Sequence, residues 1–114
     1  MEMALITVVE TTAFVASAKG RMKRQEVDAL IDLLAVEPEC GDLIQGTGGL
    51  RKVRFAAGGR GKRGSVRVVY YVYNDTMPVF LLTVFAKNEK DNLSKAERNA
   101  LAKVARMLRE SYGV

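Results

Sequence analysis

The sequence specifies an α+β fold, a small antiparallel-rich sheet with helices packed on one face and elements in the order β-α-α-β-β-β-α. Three observations predict it. Runs rich in β-branched and aromatic residues occur at Leu50–Phe55, Ser65–Tyr73 and Pro78–Lys87. Apolar residues recur at helical spacing at Val27, Leu30, Ile31 and Leu34, and again at Leu101, Val104, Ala105, Leu108 and Tyr112. The last three strands are joined by turn-like sequence, which favours antiparallel neighbours. The 114 residues fit one domain, 1–114, without repeat or linker.

The elements follow in order. Ala4–Val9 is apolar and β-branched and predicts a strand. Thr12 is placed to cap a short helix, Ala13–Ala18, that Gly20 ends. A longer helix over Lys23–Val36 stops before Pro38, because the residue preceding a proline is driven out of the α region. Gly41–Gly49 is glycine-rich and lacks any regular period, so it reads as a connection. Of the three strands beyond it, the first two are joined by AAGGRGKRG and the last two by a hairpin turn, Asn74-Asp75-Thr76-Met77. The final helix, Lys95–Tyr112, opens with a capping box, Ser94 with Glu97 three residues on.

Charge is the least evenly distributed property of the chain. The formal net charge is +5, yet residues 1–49 carry −4, residues 50–73 carry +7 with no acidic side chain, and residues 74–114 carry +2. The basic stretch is Arg51, Lys52, Arg54, Arg60, Lys62, Arg63 and Arg67. Positive charge concentrated on folded elements points to a polyanion, RNA or DNA. One cysteine, Cys40, precludes an internal disulfide and fits a reducing cytoplasm. With no histidine, the composition speaks against zinc, haem and other metal sites, and no cofactor is expected. The N-terminal segment lacks the pattern of a signal peptide, and no stretch has the length of a membrane span.

Strand alternation sorts the side chains by face. Val66, Val68, Tyr70 and Val72 share one face with Val53 and Phe55; Arg67, Val69, Tyr71 and Tyr73 share the other with Lys52 and Arg54. On the last strand Phe80, Leu82 and Val84 oppose Leu81, Thr83, Phe85 and Lys87. The apolar sets belong under helices. The mixed sets would then place Lys52, Arg54, Arg67 and Lys87 on an open face, with Tyr71 and Tyr73 as rings on which bases could stack. A single strand cation is ordinarily a solvated edge guard. Four on one face repel one another, and no carboxylate on the same strands relieves them, so the set reads as a seat for an anion. The loop Gly58–Gly64 lacks the spacing of a nucleotide-binding P-loop.

No Ser-His-Asp, Cys-His or paired-carboxylate constellation is present. RNA cleavage can proceed without one. The substrate carries its own nucleophile, the 2′-OH. The protein must align it, stabilise charge on the phosphorane-like transition state and manage two protons, which Arg, Lys and Tyr can do.

The segments DLIQGTGGLRKVRF, GRGKRGSVRVVYYVY and LLTVFAKNEKDNLS resemble the RelE/HigB branch of the RelE/ParE toxin superfamily of bacterial type II toxin–antitoxin systems. The resemblance runs from about Leu34 to the end of the chain. It implies a small ribosome-dependent mRNA endonuclease that enters the ribosomal A site and inhibits translation, neutralised by a cognate antitoxin, often a helix-turn-helix protein. By motif position it puts the family's basic pair on Lys52 and Arg54, its arginine before the Val-Tyr run on Arg67, and its basic residue ending the last strand on or beside Lys87. Arg54 and Arg67 would stabilise the scissile phosphate, and Lys52 and Lys87 would assist proton transfer. Arg51, Arg60, Lys62 and Arg63 would hold RNA backbone. Two positions depart from some members: Asn88 stands in place of an arginine, and Leu93 and Ser94 in place of a tyrosine. The ParE branch poisons DNA gyrase without cutting RNA, so a gyrase inhibitor is the alternative, with a non-catalytic RNA-binding module as a third reading.

Overall fold

The computed structural model describes residues 5–57 and 65–113. In chain order the elements are β1 (Val8–Glu10), α1 (Thr12–Ala18), α2 (Arg24–Val36), β2 (Asp42–Leu43), β3 (Leu50–Ala56), β4 (Ser65–Tyr71), β5 (Val79–Ala86) and α3 (Lys95–Ser111). They form one five-stranded sheet in the order β1-β5-β4-β3-β2. Strands β2 to β5 are antiparallel, and β1 alone runs parallel to its neighbour β5. The expected fold class holds, with one more strand than the sequence predicts. Asp42–Leu43 pairs with Lys52 and Arg51, but two residues are too few to show a period.

Local chemistry explains the element ends. Thr11, not Thr12, caps α1: its Oγ1 accepts from the Phe14 N–H at 3.2 Å and donates to the Leu81 carbonyl at 2.7 Å. Beyond the end of β1 the outer edge of β5 is covered by α1, whose Ser17 Oγ accepts from the Val84 N–H. The turn before β3 is pinned by buried Thr47, which donates to the Ile44 carbonyl and accepts from the Leu50 N–H. Gly41 is required by close approach. A Cβ there would lie 2.8 Å from the Tyr70 hydroxyl and 2.9 Å from the Lys52 carbonyl, and the Gly41 N–H donates to that same hydroxyl. The capping box of α3 is present as its sequence predicts, with Ser94 and Glu97 exchanging backbone hydrogen bonds.

The core has two parts, one on each face of the sheet. On the first face Phe14, Val27, Leu30 and Leu34 of α1 and α2 bury Val66, Val68, Tyr70, Val79, Leu81 and Val84. On the second face Ala105, Leu101 and Leu108 of α3 cover Leu50, Val69, Tyr71, Phe80, Leu82 and Phe85. The helices therefore pack on both faces, not on one. A β-bulge resets the faces within β5: Val69 pairs with Thr83 and Tyr70 with Leu81, so Leu82 is an extra residue. Strict alternation groups Val84 with Phe80 and Leu82. The bulge instead places Val84 beside Leu81, and leaves Phe80, Leu82 and Phe85 together as a second apolar surface that needs its own helix.

Candidate functional site

The second face is apolar where α3 crosses it and cationic beside the N-terminal start of α3. Lys52 and Arg54 lie two residues apart on β3, opposite Val69 and Arg67 of β4. Arg54 and Arg67 are direct cross-strand partners, which sets their Cβ atoms roughly 5 Å apart. Phe85 is the next partner of Arg67 on β5, and Lys87 follows two residues later in the exposed turn. The sheet thus brings Lys52, Arg54 and Arg67 together on one face, with Lys87 at its rim.

None of these four cations is ion-paired among the described residues, whose ion pairs are Arg21–Glu89, Arg24–Glu10, Arg24–Asp28 and Lys90–Glu97. Arg67 is half-buried, and its Nη1 is enclosed without a hydrogen-bond partner. Burying such a donor unpaired costs roughly 1–3 kcal/mol, a cost that a bound anion removes. Lys52 Nζ donates to Asn92 Oδ1 at 2.7 Å, and both line a cavity of about 200 Å³ with Ile44, Leu93 and Arg98. Neither Asn92 nor Arg98 is marked by any spacing in the sequence. Both reach the site because α3 and the turn before it fold over the second face.

The remaining expected site residues divide. Arg51 alternates to the opposite face, beside Tyr70, and its Nη1 donates to the carbonyls of Glu39 at 3.1 Å and Gly41 at 2.7 Å. It holds the chain entering β2 and is separated from the cationic face. Tyr71 is 1% exposed beneath α3, so its ring is closed to base stacking; the alternation gives its face correctly but not what covers that face. Tyr73 is 46% exposed and carries the Arg109 guanidinium 5.4 Å from its ring centroid. Tyr70 is core, as its face predicts, and burial pushes its hydroxyl up to about 12. Arg60, Lys62 and Arg63 lie outside the described residues. Leu93, at the place where some RelE-type toxins carry a tyrosine, is buried in the second core.

The turn carrying Lys87 and Asn92 is fixed at several points. Glu89 receives Arg21 through two bonds, 2.7 and 2.6 Å, and also accepts from the Ala86 N–H. Those contacts hold its carboxyl down at about 2, the Arg21 hydrogen bonds most of all. Lys90 bonds Glu97, the same residue that completes the α3 cap. A larger cavity of about 790 Å³, lined by residues from Leu5 to Asp75, contains no lysine or arginine and includes Glu37, Glu39 and Asp75. It does not suit a polyanion.

A family model for the RelE toxin of the RelE/RelB toxin–antitoxin system matches residues 9–112. The chain belongs to the RelE toxin family. It is thus the toxin of a toxin–antitoxin system, with an antitoxin as its partner. The fold is also that of E. coli toxin RelE, solved as a double arginine-to-alanine mutant in the free state. The two share 15% identity with a TM-score of 0.56, over 91% of this chain and 99% of that one. Among the described residues of this RelE-family toxin, no helix is long and apolar enough to cross a membrane.

Proposed function

We propose that this toxin, acting in the cytoplasm as a single domain, is a metal-independent endoribonuclease that cleaves messenger RNA on the ribosome and so inhibits translation. The observation that carries the reading is the cross-strand pair Arg54 and Arg67 beside Lys52, unpaired by any described carboxylate. In this reading the 2′-oxygen attacks the adjacent phosphorus and the P–O5′ bond breaks, leaving a 2′,3′-cyclic phosphate and a 5′-hydroxyl. One proton leaves the 2′-OH and one is delivered to the 5′-oxygen, so the step is proton-neutral. Arg54 and Arg67 stabilise the charge that grows on the phosphoryl oxygens. Lys52 and Lys87 assist the two transfers. Tyr73 offers a ring to a neighbouring base, and Arg60, Lys62 and Arg63 grip the backbone. The antitoxin is assigned as a helix-turn-helix protein of the kind that accompanies the HigB branch.

Induced expression in cells tests the reading. It predicts growth arrest with new 5′ ends inside translated messages and intact DNA. Arrest with gyrase-linked DNA breaks and intact messages would instead make the protein a gyrase inhibitor. RNA binding without arrest would reduce it to a binding module.

A further inference from the structure

The Lys52 ammonium has one hydrogen-bond partner among the described residues, Asn92 Oδ1, which reaches it across forty positions of sequence. We infer that Asn92 is a positioning residue, whose side-chain carbonyl fixes the Lys52 ammonium beside the Arg54–Arg67 pair. The inference rests on the ribonuclease reading and adds a residue to it.

The need for such a residue follows from the surroundings of Lys52. A lysine stem has four rotatable carbons and loses about 2 kcal/mol of rotamer entropy when fixed. Around it stand Asp42, its exposed cross-strand partner on β2, with which it forms no ion pair, and three cations: Arg54 on the same face of β3, Arg67 opposite Arg54, and Arg98 in the same small cavity. Their repulsion drives a free ammonium outward into solvent. A carboxylate would hold it in place but cancel the charge a phosphate needs. An amide oxygen accepts the hydrogen bond and leaves that charge intact. Asp91 and Asn92 are both exposed, and it is Asn92, not Asp91, whose side chain accepts from the lysine.

Asn92 is itself held. Leu93, next in the chain, is 8% exposed and anchored in the second core, and Ser94 caps α3. On the other side Glu89 is clamped by Arg21 and by the Ala86 N–H. The amide therefore sits between two fixed points, as a positioning group must.

A double-mutant cycle tests this in single-turnover cleavage of ribosome-bound message. Asn92→Ala should lower the rate constant about tenfold, the size of one charge-assisted hydrogen bond, with half-saturation unchanged. In a Lys52→Met background the same change should cost nothing further, because no ammonium remains to be held. Asn92→Ser, whose hydroxyl is too short to reach Nζ, must obey the same cycle and covers the case in which the alanine variant folds poorly. Losses that multiply across the two backgrounds overturn the inference while the ribonuclease reading stands, as does a wild-type rate for Asn92→Ala. Absence of cleavage by the unsubstituted toxin overturns the reading and the inference together.

Discussion

Arg54 and Arg67 are placed opposite one another on β3 and β4, and like charges so paired oppose folding by roughly 0.2–1 kcal/mol. A strand evolved for stability alone would not keep them. Arg54→Thr is the informative change, since Arg54 is exposed and a β-branched residue suits the strand. We expect it to raise the urea midpoint by the equivalent of about 0.5 kcal/mol at low salt, with the gain shrinking as salt screens the pair. The same variant should lose cleavage activity, so that stability and activity move in opposite directions. At this scale alternation made Lys52, Arg54 and Arg67 legible in the sequence, because it depends only on the pleat. It could not expose the burial of Tyr71, which depends on where a distant helix lands. Nor could it show Asn92, an ordinary turn residue until the fold brings it to Lys52.

At the scale of elements, the turn between β5 and α3 depends on Glu89. Its carboxyl is held at about 2 in the folded protein against 4.5 for the free group. A depressed carboxyl stabilises the fold in full above the unfolded value and loses that contribution as pH falls toward the folded one. The difference in melting temperature between the wild type and Glu89→Gln should therefore be constant above about pH 5 and narrow between about pH 4.5 and 2. Both partners are solvent-accessible, so the difference will be small and will decline with salt. A gap that widens on acidification would show that the turn is held by something else. The helices, the α3 capping box and the three long strands were legible because each carries its own periodicity or capping chemistry, whereas the α1 cap falls on Thr11, one residue before the expected Thr12. Two features were not. β2 is too short to have a period, and the Leu82 bulge leaves no local mark, although it brings Phe85 onto the apolar surface on which α3 packs.

Across the whole molecule, the fold divides its two cores from its charge. Helices α1 and α2 pack on one face with apolar contacts, and α3 covers only part of the other. The uncovered end of that face receives Lys52, Arg54 and Arg67 of the basic stretch, and of the acidic N-terminal half Asp42 stands opposite Lys52, while Glu10 and Asp28 pair with Arg24, and Glu37 and Glu39 line the larger cavity. A family toxin of +5 net charge thus sets Lys52, Arg54 and Arg67, unpaired by any described carboxylate, side by side on two adjacent strands. The most direct measurement is cleavage of a defined message on purified ribosomes by the wild type and by Arg67→Ala, with matched folding shown by urea denaturation. The account predicts a cut message bearing a 2′,3′-cyclic phosphate for the wild type, and a rate lowered by on the order of 10²-fold or more for Arg67→Ala, the loss typical of removing a transition-state charge donor. Equal rates for the two proteins, or an uncut message with both, would contradict it.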